Sequence, residues 1–552
     1  MMKQLWCLLF IFLFTNSTYS QEYSWFYIRA KDTLFQPEFR TESDQIKYAG
    51  SNSELASILD RYKIFEFKKT FKNVRRTSLK KTFFVVANNK KLLKDLLNLD
   101  SKLFDFGELI EEEDKKIYEP NDYGSTSTIG ENVGFQAYLD YYDVLGMSKA
   151  WYYTTGDPET IIGISDGLVD TSSTAFQGKT TLFRKSSKAK GHGDSVAATA
   201  AGQGDNGFGF PGVCFNCNIY STSFGHSTTL ITLLEMSRAG AKVINCSWGS
   251  TRYSQTAQDA IYEMIDNGTF VVAIAHNKPW KDAKGLIKYY PASYDKVISV
   301  ATVMHRYESV FDNILKEKKN GKYYAANIRG HLGRTMGFKD NDTLNDPHIY
   351  PISIRTLNKE VDIVGPGVGL VRFGEYTMNN KLNYSTYGAT SGIAPLITGT
   401  VGLMVSLQPC LTFNEVDAIL KMTSTNIDHI KANKPWAGLY GSGMLHTGNA
   451  VELVYKLMTE SETSYIENQD FYRWSFPITS FSKETVIRNQ TFRDDAVFNL
   501  TAKNKIVISE NTVLSPNSNG NISLKIDTEL EKECELKLRE GFPNNKYYKP
   551  SN

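Results

Sequence analysis

The sequence is poor in the features that mark specialised chains. Its 552 residues include only 6 Cys, 16 Pro and 8 His. So little cysteine excludes a disulfide-dense scaffold, and so little proline excludes a collagenous or low-complexity chain. An excess of one charge is missing as well. The 62 Lys+Arg meet 60 Asp+Glu, for a formal net charge of +2, which argues against a dedicated nucleic-acid binder. Basic residues do crowd positions 61 to 81, but β-rich runs pass through them, and a solvated sheet face accounts for the pattern. Long apolar runs are scarce. Leu5 to Phe14 spans about ten residues, too few to cross a bilayer, and no later stretch is expected to reach the ~18 apolar residues of a membrane helix. What the chain does have is core material, 41% hydrophobic against 22% charged residues. Its length suits about two to four domains.

The short apolar run follows Lys3 and precedes Thr18 and Ser20. It predicts a secretory signal over residues 1–20, cut before Gln21, and hence a secreted protein. Cys7 leaves with that signal, so Cys214, Cys217, Cys246, Cys410 and Cys534 remain. Export permits disulfides. The Cys-x-x-Cys at Cys214 and Cys217 lacks the second ligand pair of a zinc site. These cysteines are expected to be structural, paired or buried.

Residues 21–118 read as a first unit. Its elements run β-α-β-β-α-β, which predicts a ferredoxin-like α+β fold. It ends in the charged junction Glu111 to Lys116, a natural linker and cleavage point. Residues 119–456 alternate short apolar runs with helix-length segments. That pattern predicts an α/β unit, a doubly wound parallel sheet with helices on both faces, interrupted by a polar insertion at about 305–360. Residues 457–552 carry short strands between Asn, Ser, Gly and Pro, a small C-terminal β domain with a disordered tail. No tandem repeat is evident.

Three polar residues stand where such a sheet carries chemistry. Asp166 follows the apolar strand 161–164, with Asp170 as the competing carboxylate. His192 opens a run of small residues. Ser391 precedes the apolar run Gly392-Ile393-Ala394-Pro395, at a helix N-terminus that favours a developing anion. A serine hydroxyl needs a base, the histidine needs a carboxylate to orient it, and the tetrahedral intermediate needs hydrogen-bond donors. Asn277, after the buried strand 270–275, is suited to supply such a donor. Any one of these residues alone would be read as a cap or a turn residue; the combination is what carries the reading.

In the order Asp…His…Ser, with His192-Gly193, Thr390-Ser391 followed by Ala394-Pro395, and Val361-Asp362-Ile363-Val364-Gly365-Pro366-Gly367, the chain resembles the subtilisin-like serine peptidases, the subtilase family, over roughly residues 140–456. The resemblance implies a serine endopeptidase with Asp166, His192 and Ser391 as triad and Asn277 in the oxyanion hole. It implies an extended peptide substrate along Ser247, Trp248 and Gly249, extending to Gly225 and His226. It also implies that residues 21–118 are a propeptide, an intramolecular inhibitor of a zymogen. The expected protein is a monomer, with no nucleic-acid partner, no membrane span and no cofactor for the chemistry. Structural calcium is common in this family, but no ligands are assigned. The alternative is a catalytically inactive subtilase scaffold, an extracellular binding or adhesion protein. Four flanking residues depart from the family pattern: Gly167-Leu168 after Asp166, Asp194, His276 and Ala389.

Overall fold

A computed structural model describes residues 23–43, 45–70, 77–123, 138–183, 191–207, 209–223, 225–280, 287–372 and 385–543. The expected signal and the tail from 544 lie outside the described residues. The chain divides into two compact units, one ending at Lys116 and one beginning at Ile117.

The first unit contains β1 (Ser24–Ala30), β2 (Phe39–Glu42), β3 (Gln45–Tyr48), α1 (Ser53–Leu59), β4 (Ile64–Lys69), α2 (Thr77–Lys80), β5 (Thr82–Ala87), α3 (Lys91–Leu97) and β6 (Phe104–Leu109). Its sheet order is β2-β3-β4-β5-β1-β6, and every neighbouring pair is antiparallel. β1, α1, β4, β5, α3 and β6 supply the expected ferredoxin-like arrangement. The hairpin β2–β3 and the single turn α2 are additions to it. The hairpin is only partly buried, so its sequence lacks the period-2 apolar signal that marks a half-buried strand. The helices bury Leu55, Leu59, Leu92 and Leu96 against Phe26, Ile28 and Val85 of the sheet.

The second unit opens with α4 (Asp140–Leu145) and α5 (Met147–Tyr153). It continues through β7 (Ile161–Ser165), β8 (Thr180–Leu182), α6 (His192–Ala201), β9 (Asn218–Thr222), α7 (Ile231–Arg238), β10 (Ala241–Cys246), α8 (Gln255–Asp266), β11 (Phe270–Ile274) and β12 (Ile298–Val303). The insertion forms two hairpins, β13 (Ile314–Lys316) with β14 (Tyr323–Ala325), and β15 (Thr335–Phe338) with β16 (Pro347–Ile349). Leu332, Ile349, Ile354 and Leu357 tie it to the core beside Val303 and Val364. Then come β17 (Ile363–Pro366), the hairpin β18 (Leu370–Arg372) and β19 (Ser385–Tyr387), α9 (Ile393–Leu407), α10 (Phe413–Met422) and α11 (Thr447–Leu457).

Seven strands make one parallel sheet, ordered β17-β12-β11-β10-β7-β9-β8. The central strands are apolar on both sides because both faces are covered. Along β10, Val243 packs in one core with α6 and α9, and Ile244 in the other with α7 and α8. One expectation needs correction. Thr390–Leu407 is 18 residues long with mean hydropathy 1.4, so it meets the length and composition of a membrane span. It is wholly buried, the central helix of this core rather than a lipid-facing one.

The C-terminal β region is more regular than its sequence suggests. Strands β20 (Thr463–Glu467), β21 (Asp470–Phe471) and β22 (Ser475–Ser480) form one coil. β23 (Glu484–Arg488), β24 (Thr491–Asp494) and β25 (Val497–Ala502) form the next, and β26 (Ile506–Ile508), β27 (Val513–Pro516) and β28 (Asn521–Ile526) the third. All pairing between coils is parallel, which makes a solenoid with roughly 21–24 residues per coil. The expectation of no tandem repeat is therefore corrected. Ile466-Glu467-Asn468-Gln469-Asp470-Phe471 and Ile487-Arg488-Asn489-Gln490-Thr491-Phe492 are the repeat, blurred by turns of unequal length. Phe471, Phe476, Phe492 and Phe498 stack inside, and they belong to the same continuous core as α9, α10 and α11. Cys410–Cys534 links the end of this region to the loop after α9, Cys214 pairs with Cys217, and Cys246 is a buried free thiol.

Candidate active site

The sheet order reverses at β7, whose neighbours β9 and β10 both follow it in the chain. Such a switch opens a crevice at the carboxyl ends of the strands. β7, β10 and β11 are parallel with level carboxyl ends, Cys246 pairing with both Ser165 and Ala273, so Asp166, Ser247 and Asn277, each just past a strand end, emerge at one edge.

Asp166 is fully buried. Its Oδ1 lies 2.7 Å from His192 Nδ1 and accepts the Gly167 N–H at 2.6 Å. Its Oδ2 is buried with no hydrogen-bond partner among the described residues. A buried carboxylate is costly unless paired, so the His192 bond is its principal compensation. That bond raises the His192 pKa above the ordinary imidazole value, although partial burial and the Arg372 charge pull the other way. The competing carboxylate, Asp170, turns to Ser172 instead.

Close backbone approach brings His192 to this position. His192 is the first residue of α6. A Cβ on Gly193 would lie 1.8 Å from the Gly167 carbonyl oxygen, so only glycine lets the helix start reach the loop after β7. Asp194 fastens the same junction, accepting the Asp170 N–H at 2.7 Å and the Gly191 N–H at 3.0 Å.

Ser391 is buried in the short turn Thr390–Gly392, which leads into α9 and packs against α6. The Ser247 hydroxyl donates to the Ser391 carbonyl at 3.0 Å and accepts from Asn245 Nδ2 at 3.0 Å. The Ser247 side chain is thus directed at the serine turn. Asn277 Oδ1 accepts both the Thr390 N–H and the Thr390 hydroxyl at 2.8 Å. A backbone N–H can only donate, which fixes the amide orientation and leaves Nδ2 as the donor end. The Trp248 indole N–H bonds back to Ser165 Oγ at 3.1 Å, on the β7 side. Gly225 and His226 are exposed.

Three of the four departures have local explanations. Gly167 belongs to the tight contact with Gly193, and Asp194 braces it. Ala389 is extended, with φ −167°, so glycine is not required there. His276 differs from these. Its φ of +97° is a glycine-favouring conformation, costing about 1–3 kcal/mol in other residues. Its ring lies flat on Tyr289, with centroids 3.9 Å apart and 4° between planes. Sequence reasoning missed Tyr289, because no local pattern distinguishes it from a core tyrosine. Among the described residues no group of three or more His, Cys, Asp or Glu gathers as a metal site.

Comparison with known proteins identifies a family. A family model described as the subtilase family matches residues 158–443. Subtilisin DY of Bacillus licheniformis is 25% identical over 269 residues, 48% of this chain and 78% of that protein. A calcium-dependent protease of Nostoc sp. is 24% identical over 362 residues, 59% of this chain, and the match spans only 50% of that protein's length. Among solved structures, fervidolysin of Fervidobacterium pennivorans is 17% identical with a TM-score of 0.42, covering 78% of this chain and 61% of that one. The family model covers more than half of the chain, and the chain belongs to the subtilase family of serine peptidases.

Proposed function

We propose that the protein is a secreted serine endopeptidase, made as a zymogen, that hydrolyses peptide bonds through Asp166, His192 and Ser391. The single observation carrying this reading is the 2.7 Å Asp166–His192 bond at the edge where Ser391 opens the central helix. His192 takes the Ser391 proton as the hydroxyl oxygen attacks the substrate carbonyl, and Asp166 steadies the resulting imidazolium. Asn277 Nδ2 and the Ser391 N–H hold the oxyanion. His192 then protonates the leaving amine, and later takes a proton from the water that releases the acyl group. The substrate binds extended along residues 247–249.

Residues 21–118 act as the inhibitory propeptide, with cleavage between Glu111 and Ser125. The mature C-terminal coils belong to the enzyme body. The name of the Nostoc relative carries a calcium dependence, but no step of this reaction is routed through a metal. Hydrolysis of an unbiased peptide library by secreted protein tests the reading. Activity lost in Ser391→Ala and in Asp166→Asn supports it. A wild-type protein that is secreted, processed and inactive supports the inactive-scaffold alternative. N-terminal sequencing tests the zymogen, and a mature terminus at Gln21 contradicts it.

A further inference from the structure

Tyr289 occupies a position that no part of the proposed mechanism uses. It is 6% exposed. On one side it lies flat against the His276 ring at 3.9 Å. On the other, its Cβ and Cδ1 lie 3.4 and 3.7 Å from where a Cβ on Gly249 would sit. Its chain neighbour Tyr290 pairs with Ser250 through two backbone hydrogen bonds of 2.8 and 2.7 Å. Tyr289 is therefore pinned between the segment leaving β10 and the residue leaving β11. Gly249 is required as glycine by neither a positive φ nor backbone crowding; the atoms nearest its missing Cβ are those of Tyr289.

That space has a geometric meaning if the triad reading, on which this inference rests, holds. The carbonyl under attack sits by Ser391, with its oxygen toward Asn277 Nδ2. A substrate strand lies along 247–249. The side chain of the residue donating that carbonyl then projects toward Gly249 and His276, the two residues between which Tyr289 lies. Burial lowers the His276 pKa, which favours the neutral ring in the stack on Tyr289. The same stack supports the positive φ of His276, directly before Asn277.

We propose that Tyr289, held by His276, fills the primary specificity pocket, so that the enzyme cleaves after small residues such as Gly, Ala or Ser and rejects aromatic and large aliphatic ones. Tyr289 acts as a specificity-determining residue, and His276 as a positioning residue for both Tyr289 and Asn277. Pocket size alone discriminates by roughly 10–200-fold per methylene, so a filled pocket gives a wide ratio.

The test uses matured wild-type protein and internally quenched peptides that differ only in the residue donating the scissile carbonyl: Ala, Leu or Phe. A fluorophosphonate titration counts active sites in each preparation. The expected wild-type kcat/KM for Ala exceeds that for Phe by at least tenfold. Tyr289→Ala and Tyr289→Gly shift that ratio toward Phe by tenfold or more per active site. His276→Gly shifts it in the same direction but less. A wild-type preference for Phe or Leu overturns the proposal even if every variant fails to fold. So does an unchanged ratio in a titratable Tyr289→Ala. Wild-type protein that takes up no fluorophosphonate overturns the peptidase reading itself, and this proposal falls with it.

Discussion

His192 is about half exposed while its partner Asp166 is wholly buried, and this asymmetry shapes the pH response. The Asp166 bond raises the histidine pKa, and in the proposed mechanism only neutral His192 accepts the serine proton. The acid limb of kcat/KM should therefore lie above the ordinary imidazole pKa of ~6.5. Asp166→Asn should move that limb down while lowering kcat by several orders of magnitude, the benchmark being the triad losses known for subtilisin itself, a member of this family. A pH profile of kcat/KM on both proteins checks this. The sign for stability is opposite. A raised folded pKa contributes stability that is present below the unfolded pKa and lost as pH rises through the folded one. At this scale the sequence was informative on Asp166 and His192, which the fold brings to 2.7 Å, because few residue types can orient an imidazole. It was silent on Tyr289, whose proposed role rests on its contacts with Gly249 and His276.

Two elements depend on single residues. Gly193→Ala places a methyl group onto the Gly167 carbonyl, so α6 must move away and take His192 with it. The expected outcome is a folded protein with kcat reduced at least a hundredfold, checked by circular dichroism beside the peptide assay. Lys421 of α10 is buried between Asp362, at 3.0 Å, and Asp417. Burial alone would lower its pKa, but the two carboxylates outweigh that and raise it. Lys421→Ala leaves two partly buried carboxylates facing each other without their shared cation and should cost about 3–5 kcal/mol. Urea denaturation measures this cost, and Lys421→Met in Asp362→Asn/Asp417→Asn should recover most of it. The parallel strands were legible because continuous apolar runs such as Phe270–Ile274 have few other uses. The edge hairpin β2–β3 was not, since partly buried edges carry weak periodicity.

Over the whole molecule, acid stability depends on buried neutral histidines. Burial lowers His331 and His446 from 6.5 to about 4. The unfolded chain then binds more protons between those values, so these two histidines make stability fall as pH drops from about 6.5 to about 4, whereas the opposite contribution of His192 acts above that window. His446 Nδ1 also caps α11, accepting the Asn449 N–H at 3.1 Å, and protonation removes that acceptor. His446→Asn keeps a cap but cannot titrate. It should flatten the decline by on the order of 2 kcal/mol, read from urea midpoints at each pH. The solenoid was the least legible feature at this scale. Its repeat is short, its turns differ in length, and its core merges with that of α10 and α11. The central claim is that this assembly places Ser391 as an activated nucleophile. Matured protein treated with a fluorophosphonate and mapped by peptide mass spectrometry tests it most directly. The account predicts one adduct, on Ser391, absent from Asp166→Asn over the same interval; an unmodified Ser391, or an adduct on another serine, would contradict it.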